Sequence, residues 1–377
     1  MSTLESRNTF IEEFNNLEDP RVSRKRLYPI VEIIFLVICA NICGAESYRD
    51  YERFGNSKLS TLRLKLPFTN GIPSKSTLAR VLRLINPEVL KSCFMGWMKS
   101  LYVGISEDII PIDGKTLRGS HDSENKAIHM VSAYSCQTHL VIGQQKVEDK
   151  SNEITAIPKL LDTIDIKGST VTIDAMGTQK EIAKKIIDKQ GDYILALKGN
   201  HKNLSEDIKL FLDTEQAKPN NGNLSVFHDI DKGHGRIEQR TCYVTDQIDW
   251  LADKSKWSGL RSIVMIESKR TIKNNTSSER RYYLTSKEAD PEFLNHAVRS
   301  HWSIENKLHW ILDVSMSEDA SRVRKDHAPE NSAMLRHIVL NMLQQTKKGM
   351  KDISIKGLRK LAGWCEATLM KIVSASF

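Results

Sequence analysis

Asp108-Ile-Ile-Pro-Ile-Asp-Gly-Lys-Thr-Leu-Arg118 reads as a short β-branched strand that ends in an acid, Asp113, with Gly114 directly after it. Working outward, Ser169-Thr-Val-Thr-Ile-Asp-Ala-Met-Gly177 alternates in period two and ends in a second acid, Asp174. Carboxylates at the carboxyl ends of neighbouring strands stand on the rim of an α/β sheet, where ligands gather. Strands are expected at 108–113, 127–135 and 139–147, the last two joined by a hairpin at Gln137-Thr138. A helix at Glu153–Thr163 follows, then the strand of Asp174. Thr178-Gln-Lys-Glu181 has the spacing of a capping box and opens a helix stopped by Gly191. The last strand is Asp192–Leu197. Three strands, helix, strand, helix, strand is the order of an α/β, ribonuclease-H-like catalytic core. In that core the first and fourth strands lie side by side, which brings Asp113 and Asp174 together.

A third acid stands apart in the chain. From Phe293 to Val314 the spacing predicts one helix whose apolar stripe runs through Leu294, Val298, Leu308 and Leu312. Continued at that spacing, the stripe places Glu305 on the face meant for the core. A carboxylate there costs several kcal/mol unless a cation or several donors meet it. A strand-end aspartate alone is usually a turn residue. Two of them with such a glutamate make an oxygen-rich site suited to a hard divalent ion, Mg²⁺ or Mn²⁺.

The rest of the chain frames this site. Residues 1–105 read as a helical N-terminal domain: an amphipathic helix at Leu4–Leu17, a basic cluster at Arg21, Arg24, Lys25 and Arg26, an apolar helix from Pro29 to Cys43, and a helix that exposes Arg80 and Arg83 after Ser74. Short helices with arginines on a later one resemble a helix-turn-helix DNA reader. Residues 106–199 form the first part of the core and 200–290 a mostly β insertion before the Glu305 helix, with strands at 236–245, 259–268 and 280–286. Residues 291–345 complete the core, and 346–377 are a basic C-terminal tail. On the strand after Gly233, Arg236, Glu238 and Arg240 share one face, suited to grip a phosphate strand.

The net charge of +8 favours polyanionic partners. From Arg336 to Lys371 eight Lys or Arg oppose Asp352 and Glu366, a local excess of six. The six cysteines form no Cys-x-x-Cys pair, which suits reduced thiols in a cytoplasmic protein. Ile33–Cys43 is too short to span a bilayer, for which about 20 apolar residues are needed. The amino terminus is polar and acidic, unlike a signal peptide. No membrane partner is expected.

Five segments then carry a resemblance: Ile112-Asp-Gly-Lys-Thr-Leu-Arg-Gly119, Thr172-Ile-Asp-Ala-Met176, Leu195-Ala-Leu-Lys-Gly-Asn200, Gly233-His-Gly-Arg236 and His301-Trp-Ser-Ile-Glu-Asn-Lys-Leu-His-Trp310. With them in this order, the chain from about residue 10 onward resembles the bacterial insertion-sequence DDE transposases, specifically the H-repeat-associated group. The resemblance implies an enzyme that cuts and rejoins double-stranded DNA at the ends of a mobile element. It implies Asp113, Asp174 and Glu305 as the catalytic triad on two Mg²⁺ ions, Asp113 bridging them and Mn²⁺ able to substitute. Pairing two DNA ends implies at least a transient homodimer, associated with the nucleoid.

One departure matters. Related transposases carry a tyrosine, an arginine and a lysine around the helix glutamate, where this chain has Val298, His301 and Leu312. Phosphate contacts on this helix then fall to Arg299, His301, Lys307 or His309. Lys115, Arg118 and Lys198 are further candidates for contact with the DNA. Three alternatives remain open at this stage. They are a metal-dependent nuclease without strand transfer, a catalytically silent DNA-binding remnant of a mobile element, and a zinc site of His301, Glu305 and His309.

Overall fold

The structure, a computed structural model, describes residues 10–102, 105–123, 126–148, 151–233, 235–273, 275–350 and 352–374. The amino-terminal part is helical: α1 (Phe10–Asn15), α2 (Ile30–Ile42), α3 (Tyr48–Ser57), α4 (Leu59–Leu62), α5 (Lys75–Leu84) and α6 (Pro87–Leu101). The first six residues of the expected helix Leu4–Leu17 lie outside the described residues, and α1 covers Phe10–Asn15 of the rest. The apolar run expected from Pro29 becomes α2, whose residues from Glu32 to Ile42 are all buried. Ser74 caps α5, its hydroxyl accepting the Thr77 N–H.

The core follows as β1 (Ile109–Thr116), β2 (His129–Tyr134), β3 (Val141–Lys146), α7 (Glu153–Thr163), β4 (Thr170–Ile173), α8 (Lys180–Asp188) and β5 (Asp192–Leu197). Then come α9 (Lys202–Gln216), β6 (Ser225–Gly233), β7 (Arg236–Thr245), β8 (Ser262–Ile272) and β9 (Asn275–Thr285). The chain closes with α10 (Pro291–His301), a single π turn (Glu305–His309), α11 (Trp310–Met316), α12 (Ala328–Lys347), α13 (Ile355–Trp364) and α14 (Glu366–Ser374).

Among the described residues all nine strands join one sheet in the order β3-β2-β1-β4-β5-β9-β8-β7-β6. β1, β4 and β5 run parallel, and the remaining pairings are antiparallel. The first five strands stand in the order that a ribonuclease-H-like reading requires. The later strands do not make a body of their own. They extend the same sheet through β9 on β5, because Ile194–Leu197 still offers a free hydrogen-bonding edge.

Several expectations shift. β1 runs beyond Asp113 to Thr116, since β2 keeps pairing it after β4 has stopped. The capping box at Thr178 does not form. Gln179 takes the N-cap position before α8 without a side-chain capping bond, and the Thr178 hydroxyl donates to the Asp174 and Ala196 carbonyls at the ends of β4 and β5. Buried Asp108 accepts from Tyr102, the Ser135 hydroxyl and the Gln137 N–H, holding the β2–β3 hairpin against β1.

The 346–377 stretch is not a loose tail. α13 and α14 pack on α2 and α12, burying Leu358, Leu369, Ile372 and Val373. Arg359 is buried too, and donates twice to the Asn41 carbonyl at 3.2 and 2.8 Å. α12 also seals the edge strand, because Asn341 pairs with both the N–H and the C=O of Val141 at 2.9 Å. Helices from both ends of the chain therefore share one core with the inner strands. No helix among the described residues is long and apolar enough to cross a membrane.

Candidate active site

Register brings the two aspartates together. β1 and β4 pair in parallel up to Ile112 opposite Ile173, so Asp113 and Asp174 leave adjacent strands at the same level. Asp174 is fixed by its own turn, with one carboxylate oxygen accepting the Met176 and Gly177 N–H groups at 3.1 and 3.3 Å. That leaves its second oxygen outside the turn.

Glu305 reaches the same rim by a different route from the one its spacing suggests. α10 ends at His301 and the helix resumes through a π turn beginning at Glu305. The extra residue in that turn breaks the three- and four-residue phase. Ile304, fully buried, takes the core position, and Glu305 is exposed beside it. Its charge is still felt at Asp113. Burial first, and then the anions of Glu153, Asp174 and Glu305, push the Asp113 carboxyl up to about 7 against the pull of the Gly114 N–H. The described residues contain no set of three His, Cys, Asp or Glu side chains that could hold a metal as they lie. The carboxylates share a rim without forming a ready-made cage.

Glu153, the first residue of α7, is a neighbour that the sequence did not single out. Its carboxylate lies 2.6 Å from His129 Nε2, and His129 Nδ1 lies 2.8 Å from the Thr116 hydroxyl. A Cβ at position 114 would stand 2.1 Å from Glu153 Oε1 and 2.4 Å from His129 Nε2, so glycine is what lets this pair close over β1. In the sequence Glu153 shows only as an acid in the first turn of a helix, an ordinary place for one.

His309 Nδ1 stands 3.7 Å from Asp113 Oδ2. This is not an ion pair at neutral pH. Burial, then the charges of Lys115, His129 and His301, hold His309 down at about 4. His301 is turned to the Thr172 hydroxyl at 2.9 Å, and burial holds its imidazole below the usual range. The zinc alternative loses its support. His301 and His309 point to different strands, and with Glu305 they form no metal-holding group.

Lys115, expected at the DNA, is enclosed instead. Its ammonium is 2.7 Å from Asp313, 3.3 Å from Glu318 and 3.0 Å from Asp319, and Glu318 also faces Arg336 at 3.7 Å. Burial opposes its charge, but these three carboxylates outweigh it and hold the group above its usual value. Arg118 keeps only a 3.5 Å contact to Asp319, and its side chain is 82% exposed. Lys198 is exposed at the end of β5. Arg236, Arg240, Arg299 and Lys307 converge on a groove of about 910 Å³ between β7–β9 and the α10–π-turn segment.

Residues 11–98 match the family described as DDE_Tnp_1-associated, and residues 105–342 match the Transposase DDE domain. The chain is 41% identical to "H repeat-associated putative transposase YhhI" of Escherichia coli (strain K12), over 89% of this chain and 90% of that protein. It is 41% identical to "Putative transposase YncI" of Escherichia coli O157:H7, over 88% of this chain and 86% of that protein. "H repeat-associated putative transposase YbfD" of strain K12 is 40% identical over 64% of this chain and 96% of its own length. The chain belongs to the DDE transposases, in the H-repeat-associated group.

Proposed function

We propose that this protein cuts DNA at the ends of an insertion-sequence element and joins the freed 3′ ends to target DNA. The site for both steps is the rim shared by Asp113, Asp174 and Glu305. The observation that carries the reading is the register Ile112–Ile173, which sets Asp113 and Asp174 side by side, together with the charge of Glu305 reaching Asp113.

The chemistry of this donor set fits Mg²⁺ or Mn²⁺. Asp113 feels the negative charge of Glu153, Asp174 and Glu305, and it stands beside a histidine that carries no charge at neutral pH. Such a cluster repels itself until a cation enters, and hard oxygen donors suit these ions. Asp113, Asp174 and Glu305 would hold them. When bound, the ions supply activation of the attacking oxygen and stabilisation of the departing one. The chain's own residues do the rest. The Met176 and Gly177 amides orient Asp174, and the Lys115 cluster anchors the Glu305 helix to β1. Arg118 and Lys198, exposed at the ends of β1 and β5, meet the phosphate backbone on either side of the rim. Double-stranded DNA is the substrate, and two copies of the chain are needed to hold two ends.

The test is incubation with a pre-cut element end, a target plasmid and Mg²⁺, scored for joined products. Joining supports a transposase. Mg²⁺-dependent cutting without joining would leave a nuclease, and neither activity in wild-type protein would leave a DNA-binding remnant.

A further inference from the structure

The groove beside the acidic rim has a feature that general attraction for DNA does not explain. It is lined by six basic side chains, Arg236, Arg240, Arg270, Arg281, Arg299 and Lys307, against the carboxylates of Glu238 and Glu279. Most of these are surface groups. Arg240 is not: it is 7% exposed, and its Nε is buried with no hydrogen-bond partner among the described residues. Among the described residues the only carboxylate within ion-pair reach is Glu238, at 3.9 Å. A buried guanidinium left short of acceptors is costly, and an anion entering the groove would supply them.

The size of the groove says which kind of anion fits. About 910 Å³ lies at the upper end of small-molecule pockets, which run ~300–1,000 Å³. That volume suits a few nucleotides of one strand. One wall is already ordered: Glu279 grips Arg281 through two bonds of 2.8 and 3.0 Å, and the Arg281 guanidinium lies 5.2 Å over the Trp302 ring. Basic grooves with an aromatic wall are the usual seats of single strands. Asn306 and Lys307, which line the groove, directly follow Glu305, so the groove lies along the same segment that carries this acid.

We propose that this groove seats an unpaired DNA strand next to the acidic rim, with Arg240 as the buried grip on one of its phosphates. The proposal rests on the transposase reading for its substrate and extends it, assigning the ribbon β7–β9 to one separated strand and not to the intact duplex.

The experiment is fluorescence anisotropy in EDTA, where no cutting takes place, with a labelled single strand of about eight nucleotides and its matched duplex. Arg240→Met should weaken single-strand binding by about tenfold or more, as expected for losing a charged hydrogen bond, and duplex binding by less than about threefold. Its melting temperature should not fall, because the change removes a poorly partnered buried cation. Arg240→Lys should lie between Arg240→Met and wild type. Lys269→Met, on the opposite face of β8, should change neither affinity by more than about twofold. The proposal is overturned if Arg240→Met binds the single strand as wild type does, or if strand and duplex suffer equally. Should Arg240→Met fail to fold, unchanged single-strand affinity in Arg240→Lys overturns it. A wild-type protein that binds neither DNA would instead remove the transposase reading itself.

Discussion

Lys115 and Asp313 stand 2.7 Å apart, and they are the second rung of a ladder whose first rung is Asp113 and His309 at 3.7 Å. The spacings match. Two residues along a strand cover ~6.6 Å and four along a helix ~6 Å, so strand positions 113 and 115 meet helix positions 309 and 313 in step. The segment that carries Glu305 is thereby set against the strand that carries Asp113.

Removing the rung should damage the fold. Lys115→Met leaves Glu318, 2% exposed, with Asp313 and Asp319 around a missing cation. Breaking a buried pair on one side costs about 3–5 kcal/mol. The urea midpoint should fall accordingly, and an unchanged midpoint would show that the cluster contributes no stability.

Asp113 gives a pH prediction for the metal-free protein. Its carboxyl is raised from 3.8 to about 7 on folding, so the folded state disfavours the charged form. The penalty is absent below the unfolded value, grows as pH rises through it, and is complete above about 7. In EDTA, stability should therefore decline between pH 4 and 7, and Asp113→Asn should remove that part of the decline. The variant should melt above wild type at pH 8. Equal or lower melting there would refute the argument.

The acids should separate by role. Asp113→Asn, Asp174→Asn and Glu305→Gln should each abolish strand cleavage while leaving DNA binding largely intact, as gel shift and nicking assays would show. Glu153→Gln keeps a partner for His129 but removes an anion beside Asp113. Its cleavage should fall by about 10–100-fold, the range for supporting partners of a metal site. Its pH profile should move to lower pH, and a profile that stays put would mean that Asp113 does not sense Glu153.

Deleting residues 352–377 should unfold the helical part, because α13 and α14 cover α2 and α12 and Arg359 bonds the Asn41 carbonyl. Exposed apolar surface should appear as dye binding. A truncated protein with wild-type melting and only weaker DNA affinity would show that 352–377 acts as a basic tail and not as part of the core.

What the sequence made legible was local or set by register. A period-two run placed β4, and the order of elements put Asp113 next to Asp174. Long-range relations stayed hidden. Glu305 was expected to face the core because nothing in its spacing betrays a π turn, and the stripe passes to Ile304. Lys115 looked like a surface cation because its three partners lie some 200 residues away. β6 was missed since Ser225–Gly233 is polar and largely exposed at the sheet edge, without the alternation that marks a half-buried strand.

The π turn makes the angle of one acid adjustable independently of its anchor. Each residue of a regular helix advances the chain by about 100°. Deleting a single residue between Glu305 and His309 would swing Glu305 and everything upstream by roughly a quarter of a circle, while His309 and Asp313 stayed docked. An enzyme of this build could be disarmed, or retuned, by changing the length of its helix and none of its chemistry.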